Sequence, residues 1–123
     1  MFSRDFWQNK RVLITGHSGF KGAWLLIWLN LLGADVYGIS IDTLPKPSLF
    51  EEINKNKLCK SFFLDIRDEK NLQKTIQEIK PEIVFHLAAQ SLVRESYRNP
   101  LSTWSTNLNG SLNLLESLMS IKN

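Results

Sequence analysis

The sequence predicts an α/β fold in which a doubly wound parallel sheet carries helices on both faces. Short apolar, β-branched runs alternate along the chain with segments whose apolar residues recur at helical spacing. A turn with three glycines joins the first run to the first helical segment. The composition, 43% hydrophobic and 22% charged, is ordinary for a folded globular protein. We therefore expect the 123 residues to form one Rossmann-like unit.

The first strand and the first helix lie on either side of that turn. Arg11–Thr15 is a short apolar run of the kind that is buried on both faces of a parallel sheet. Beyond the turn, apolar residues recur at helical spacing until Gly33, a common helix stop. We expect a largely buried helix whose apolar positions are Trp24, Trp28, Leu31 and Leu32, flanked by Leu25, Ile27 and Leu29.

The middle of the chain predicts two more strands. Val36–Ile41 is the second strand, and residues 43–48 are a loop because their two prolines lack the N–H that a strand donates. A short amphipathic turn over residues 49–58 leads to a third strand at Phe62–Leu64.

The last part of the chain predicts two helices around a fourth strand. Asp68 is placed to cap a helix that ends at Pro81, and Glu82–Ala89 is a strand that runs into small residues. The first of these helices has one apolar face, and a final helix begins at about Pro100. Their apolar positions are Leu72, Ile76 and Ile79 in the former, and Leu108, Leu112, Leu115 and Leu118 in the latter.

Composition excludes several classes of function. The 15 basic and 12 acidic residues are scattered, without the dense basic stripe that nucleic-acid binding requires. The single cysteine, Cys59, forms no internal disulfide, and two histidines, His17 and His86, do not predict a metal site. The most apolar run, Ala23–Leu32, has ten residues, whereas a bilayer span takes about 20. Because the N-terminus also lacks a secretory signal, we expect a cytoplasmic protein.

The glycine-bearing turn predicts a phosphate-binding loop. Gly16, Gly19 and Gly22 stand at intervals of three between a strand and a helix. Without side chains the backbone turns sharply and approaches a pyrophosphate closely, while the helix start presents free N–H groups to the anion. A tight turn without a ligand is the alternative, which the strand-helix context disfavours. Lys21 is either a phosphate contact or a solvated lysine.

Acidic residues beyond the second and third strands are candidates for the nucleoside end of such a ligand. Asp42 follows Gly22 by 20 residues, where an acid binds the ribose hydroxyls and favours NAD over NADP, although it is alternatively a turn residue. Asp65 and Ile66 follow the third strand at the sheet edge where ligands bind, and would flank an adenine. His86 is interpreted as a packed, hydrogen-bonded histidine.

Four motifs together resemble the extended short-chain dehydrogenases that act on nucleotide sugars: Thr15–Gly22, Asp65–Asp68, His86–Ala89, and Thr106-Asn107 followed by Gly110. The segments Phe6–Gln8, Gly16–Gly22 and Pro47–Phe50 narrow the resemblance to 4,6-dehydratases of that family that act on CDP-glucose. The resemblance implies an NAD cofactor that takes hydride from sugar C4 and returns it to C6 after water is lost across C5 and C6.

The resemblance also implies roles by position. It places the pyrophosphate at the glycine loop, adenine beyond the third strand, the nicotinamide side beyond the fourth strand, and the sugar pocket farther on. It also implies a homodimer formed partly by the helix after Pro100. The residues concerned are Gly16, Gly19, Phe20 and Gly22 for pyrophosphate; Asp65 and Ile66 for adenine; Leu87, Ala88 and Ala89 for the ribose and nicotinamide; Asn107 as a structural or cofactor-side residue; and Gln90, Val93 and Arg94 for the sugar.

The sequence departs from that family pattern in two places. Most relatives carry the ribose-binding acid near Ser40, so Asp42 reaches the ribose differently or not at all. The family's catalytic tyrosine and lysine lie four apart, and neither Tyr37 nor Tyr97 has a lysine four residues later. We expect those residues beyond Asn123, an inactive 123-residue chain, and uncovered apolar surface on the last helix. A GDP-mannose dehydratase, an epimerase, and a non-catalytic nucleotide-binding module are the rival interpretations.

Overall fold

The computed structural model describes residues 3–42, 45–54 and 57–121. Within them, helices and parallel strands alternate over most of the chain, as the sequence predicts. In chain order the elements are α1 Arg4–Trp7, β1 Arg11–Thr15, α2 Phe20–Leu31, β2 Asp35–Ser40, α3 Leu49–Asn54, β3 Lys60–Phe63, α4 Glu69–Ile79, β4 Ile83–His86, α5 Val93–Arg98, α6 Pro100–Trp104, a π-helical segment Ser105–Asn109, and α7 Gly110–Met119.

The four strands form one parallel sheet in the order β3-β2-β1-β4. Thr15, the last residue of β1, lies opposite Ile39 of β2 and His86 of β4. From β1 the chain moves outward to β2 and β3, and then crosses back to place β4 on the other side. The direction of winding therefore reverses between β1 and β4, and such a switch point is where open α/β sheets bind ligands.

Alternate residues of the strands build a core on each face of the sheet. Val12 and Ile14 of β1 pack in a cluster with α1, α2 and α3, whereas Leu13 packs in a second cluster with α4 and α7. This alternation is what a strand covered on both faces requires. The predicted doubly wound α/β fold is therefore confirmed for the described residues.

The prediction that α2 is largely buried is wrong for three of its four main positions, whereas Leu32 is half-buried and the flanking Leu29 is buried. Trp24 is 54% exposed, Trp28 48% and Leu31 65%. The buried positions of this helix are instead Gly22, Ala23, Leu26 and Leu29. Because α2 is apolar around most of its circumference, the spacing of its large residues did not show which face meets the sheet.

Several predicted boundaries also differ. Ile41 lies outside β2, Leu64 lies outside β3, and Leu87–Ala89 form a loop after β4. The amphipathic turn predicted over 49–58 contains α3, whose Phe50 is 1% exposed, and residues 55–56 lie outside the described part, as do residues 43–44 of the predicted loop. No helix in residues 3–42, 45–54 or 57–121 is long and apolar enough to span a membrane.

The single helix predicted after Pro100 is three consecutive segments, and α5 precedes it. Gly110 and Leu114 face the core, while Leu108, Leu112 and Leu115 are about half exposed. The expected apolar surface on this part of the chain is therefore present.

Asp68 is the N-cap of α4, and its removal is expected to destabilise the fold modestly. Its carboxylate accepts from the Asn71 backbone N–H at 3.3 Å and from the Asn71 side-chain amide at 2.6 Å. Asp68→Ala should lower the free energy of unfolding by about 1 kcal/mol in urea denaturation. Asp68→Asn keeps a capping oxygen and is the matched control, so equal losses in the two variants would contradict the capping role.

Candidate functional site

A cavity of about 660 Å³ opens where the strands end at their carboxyl edge, a size typical of ligand sites. Its walls come from the glycine turn after β1, the residues after β2 and β3, and the loop after β4. The structure brings nine of the predicted cofactor-binding residues to this cavity: Gly16, Gly19, Phe20, Gly22, Asp42, Ile66, Leu87, Ala88 and Ala89.

Two glycines of the turn are required by the fold itself. Gly16 has a φ of +75°, and a Cβ there would lie 2.9 Å from the backbone nitrogen of Ala88. At Gly22 a Cβ would run into the carbonyl oxygen of Gly16 and the Cα of His17, which are both backbone atoms. These two positions let β1, the loop after β4 and the start of α2 approach one another closely.

Gly19 has a different environment. Its φ of −72° and ψ of 169° are open to any residue, and an added Cβ would meet only the Gly16 oxygen at 3.3 Å. It is the N-cap of α2 and supplies no side chain to cap the helix. The first turn of α2 therefore borders the cavity without a capping side chain on its N–H groups, as an anion site at a helix start requires.

His17 lies behind the turn and is completely buried. Its Nε2 is 2.9 Å from the Ser61 hydroxyl oxygen, its ring packs edge-on against Phe50 at 5.0 Å, and it occupies the space that a Cβ at Gly38 would fill. Burial lowers the pKa of His17 to about 4, and a backbone interaction with Ile39 opposes this only in part. The imidazole is therefore neutral near pH 7 and joins the turn to β3.

Neutral His17 should make the fold sensitive to acid. Because its folded pKa of about 4 lies below the unfolded value of 6.5, its stabilising contribution is complete above pH 6.5 and is lost as pH falls toward 4. Urea denaturation between pH 7 and 4 should show a decline in the free energy of unfolding that is smaller in His17→Phe, by at most about 3 kcal/mol. Parallel pH profiles of the two proteins would contradict a buried neutral histidine.

The residues after β2 form the wall nearest the predicted ribose position. The Ser18 hydroxyl donates to the carbonyl oxygen of Asp42 at 2.6 Å, which ties this wall to the glycine turn. Ser40 also lines the cavity, and its hydroxyl oxygen is buried without a hydrogen-bond partner among the described residues. A polar atom left in this state is one that a ligand hydroxyl can satisfy.

The residues after β3 are held by an ion pair and by α7. The Arg67 guanidinium donates hydrogen bonds to the Asp65 carboxylate, and the shortest of them is 2.7 Å. This hydrogen bonding holds the pKa of Asp65 below its ordinary value. Ile66, 3% exposed, borders the cavity and packs over Gly110. The Asn113 side-chain amide donates to the Ile66 carbonyl oxygen at 3.1 Å.

The loop after β4 is fixed by hydrogen bonds from β1 and from the π-helical segment. The Ala88 N–H donates to Thr15 Oγ1 at 3.1 Å, and the Leu87 N–H is shared between Thr15 Oγ1 at 3.1 Å and the Thr15 carbonyl oxygen at 3.0 Å. Asn107 binds the backbone of Gln90 twice, accepting from its N–H at 2.7 Å and donating to its oxygen at 3.0 Å. Asn107 thus supports the cavity wall from behind.

Five predicted site residues do not line the cavity: Asp65, Asn107, Gln90, Val93 and Arg94. Val93 is 70% exposed at the start of α5, and Arg94 is exposed beside it. His86 is hydrogen-bonded as predicted, through Thr15 and Ser111, but it is exposed at the sheet edge instead of packed. Residues that the sequence analysis missed at the cavity are Ser18, Ile41, Leu64, Ser91 and Thr106.

The parallel sheet, the glycine turn at a helix start and the cavity at the switch point define a nucleotide-binding α/β domain of the Rossmann class. The chain belongs to the GDP-mannose 4,6 dehydratase family, which it matches over residues 13–123.

Two relatives of known activity illustrate this similarity. CDP-glucose 4,6-dehydratase of Salmonella typhimurium is 51% identical over 123 residues, which are 100% of this chain and 34% of that protein. GDP-mannose 4,6-dehydratase of Vibrio cholerae is 34% identical over 118 residues, covering 89% of this chain and 31% of that protein. The chain therefore spans about a third of the length of these relatives.

Solved structures show the same arrangement. The UDP-glucose-4-epimerase of Stenotrophomonas maltophila, crystallised with bound NAD and formylated UDP-arabinopyranose, superposes with a TM-score of 0.78 at 29% identity, over 91% of this chain and 33% of that one. The epimerase Mth375 of Methanothermobacter thermautotrophicus gives a TM-score of 0.80 at 30% identity, over 93% and 33%.

Proposed function

We propose that residues 1–123 are the N-terminal, NAD-binding part of a nucleotide-sugar 4,6-dehydratase that acts on CDP-glucose. The observation that carries this proposal is the 51% identity to the Salmonella enzyme over the whole chain. The cavity supports it, because its glycine turn leaves space for a diphosphate beside helix N–H groups that no N-cap side chain covers.

The residues at the cavity fit NAD along its length. The pyrophosphate lies against the turn and the start of α2, the adenine against Ile66 with Asp65 behind it, and the nicotinamide ribose against the loop after β4. Asp42 and Ser40 flank the adenosine ribose, and the carboxylate of Asp42 favours NAD over NADP. The proposed contacts are Gly16, Gly19, Phe20, Gly22, Asp42, Ile66, Leu87, Ala88 and Ala89, with Asp65 and Asn107 in support.

When bound, NAD supplies a hydride acceptor for sugar C4 and a hydride donor for C6 once water has left across C5 and C6. This part of the protein contributes binding and orientation: the loop after β4 places the nicotinamide side, and Gln90, Val93 and Arg94 border the approach of the sugar. The proton transfers need an acid-base pair that Tyr37 and Tyr97 do not form with a lysine. The 123-residue chain alone is therefore inactive in this proposal.

The proposal is tested with the full-length protein, NAD and CDP-glucose. We expect formation of CDP-4-keto-6-deoxyglucose, detected by mass spectrometry as loss of one water. GDP-mannose, the substrate named for the Vibrio cholerae relative, and UDP-glucose are the matched alternative substrates. Faster turnover of GDP-mannose would transfer the assignment to that class, and NAD binding without turnover of any of the three would favour a non-catalytic module.

We also propose that the full-length protein is a cytoplasmic homodimer whose interface includes α6 and α7. Leu101 is 82% exposed, Trp104 67% and Met119 82%, and they continue the exposed line of Leu112 and Leu115 along one side of these helices. A contiguous row of exposed apolar side chains marks an interaction surface, whereas the apolar residues on the surface of a monomer are scattered. Leu112→Glu should convert the dimer to a monomer in light scattering, whereas Gln73→Glu on the exposed side of α4 should not. A monomeric wild-type protein would contradict this interface.

A further inference from the structure

A continuous hydrogen-bonded chain of side chains supports the loop after β4. Thr15 Oγ1 lies 2.6 Å from His86 Nδ1, and His86 Nε2 lies 2.8 Å from Ser111 Oγ. Ser111 Oγ donates to the carbonyl oxygen of Asn107 at 2.7 Å. These hydrogen bonds thus connect β1 through β4 to α7 and end on the π-helical segment.

The hydrogen atoms of this chain have one fully satisfied arrangement. Thr15 Oγ1 already accepts from the Ala88 N–H and shares the Leu87 N–H with the Thr15 carbonyl oxygen, so its own proton is left for His86 Nδ1. A ring that accepts at Nδ1 carries its proton on Nε2, and that proton goes to Ser111 Oγ. The Ser111 hydroxyl in turn donates a hydrogen bond to the backbone carbonyl oxygen of Asn107, four residues earlier.

The tautomer with its proton on Nδ1 loses one hydrogen bond at the Thr15 end of this series and one at the Asn107 end. With the proton on Nδ1, Thr15 Oγ1 would have to accept from the ring in addition to Ala88 and the shared Leu87 N–H, and its own proton would have no acceptor among these residues. Ser111 would have to turn its proton toward Nε2, which leaves the Asn107 oxygen without it. His86 is exposed as a whole residue, but its ring is partly screened from solvent, and this desolvation lowers the pKa of His86 and favours the neutral ring.

The two ends of the chain fix the two ends of one loop. Thr15 holds the N–H groups of Leu87 and Ala88, which line the cavity, while Asn107 holds the backbone of Gln90 on both sides. The π-helical segment that carries Asn107 is an uncommon geometry that often accompanies functional sites. The His86 imidazole of β4 links Thr15 of β1 to Ser111 of α7 between these anchors.

We propose that Thr15, His86 and Ser111 are positioning residues, which hold the Leu87–Ala88 backbone against the cavity through a neutral imidazole protonated at Nε2. The identity of the ligand that this backbone positions rests on the proposed function. The tautomer of His86 and the order of the loop after β4 do not. The two are therefore tested separately.

The first test is the tautomer of His86 in the full-length protein, measured by ¹⁵N NMR of the imidazole at pH 7. We expect a pyrrole-like Nε2 and a pyridine-like Nδ1. Thr15→Val keeps the side-chain shape without the hydroxyl, and should convert this single tautomer to a mixture. Thr15→Ser keeps the hydroxyl and should restore the Nε2–H form. An Nδ1–H form in the wild type, or an unchanged tautomer in Thr15→Val, would overturn the proposal.

The second test follows the loop and the cofactor. Thr15→Val should raise the amide exchange rate of Ala88, whereas the Leu87 N–H keeps its bond to the Thr15 carbonyl oxygen. The same variant should weaken NAD binding about tenfold, with Thr15→Ser close to wild type. Ser111→Ala, on a partly exposed helix position, is the variant to use if Thr15→Val does not fold, and should shift the tautomer in the same direction. Unchanged exchange at Ala88 in both variants would refute positioning. Faster exchange without any NAD binding in the wild type would refute the cofactor and leave the positioning role supported.

Discussion

Gly19→Leu is expected to weaken NAD binding about 100-fold while leaving the fold of the full-length protein intact, since a lost charge-assisted hydrogen-bond site is worth about 1.5 to 3 kcal/mol. The backbone angles of Gly19 suit any residue, and a Cβ would meet only the Gly16 oxygen at 3.3 Å. A longer side chain must therefore extend into the cavity, in front of the helix N–H groups of Phe20 and Lys21.

Isothermal titration calorimetry with NAD measures this effect, and urea denaturation of the apo protein provides the control. Gly19→Ala adds only the Cβ and should weaken binding less than Gly19→Leu does. Wild-type affinity in Gly19→Leu would mean that the diphosphate does not lie at this turn. A large loss of stability in the apo protein would mean that Gly19 serves the fold.

Gly22→Ala, unlike Gly19→Leu, is expected to destabilise the fold. It should lower the free energy of unfolding by about 3 kcal/mol, the upper part of the range for overpacking. A Cβ at this position meets the Gly16 carbonyl oxygen and the His17 Cα, and neither can move aside without moving the backbone of the turn. The loss should appear although alanine is the better helix former by about 1 kcal/mol.

Lys21→Ala is the matched control for Gly22→Ala, because Lys21 is the preceding residue of α2 and is exposed. Urea denaturation should show little change for Lys21→Ala. A Gly22→Ala protein as stable as the wild type would contradict the close packing of α2 on the turn.

Local sequence patterns were sufficient for the elements whose signals are short. Three such elements depend on residues within a few positions and are found where the sequence predicts them: the strand that ends just before Gly16, the three-glycine turn and the Asp68 cap. Much of the cavity lining could also be predicted from the sequence, because the residues that follow parallel strands meet at one edge of the sheet.

Other features depend on contacts that no local pattern contains. Trp24 and Trp28 share a helical face, but α2 has apolar residues on its other faces too, so packing alone decides that Ala23 and Leu26 meet the sheet. The hydrogen bond from Thr15 to His86 joins residues 71 positions apart. The role of His86 therefore appears only when β1, β4 and α7 are placed together.

In the proposed function, the backbone N–H groups at the start of α2 hold the diphosphate of the cofactor. ¹⁵N-¹H NMR of the full-length protein tests it most directly, by following the amides of Phe20, Lys21 and Gly22 during a titration with NAD and, in parallel, with adenosine. We predict large downfield proton shifts at these amides with NAD and small ones with adenosine, which has no phosphate. Saturation with NAD that leaves all three amides unmoved would contradict the claim.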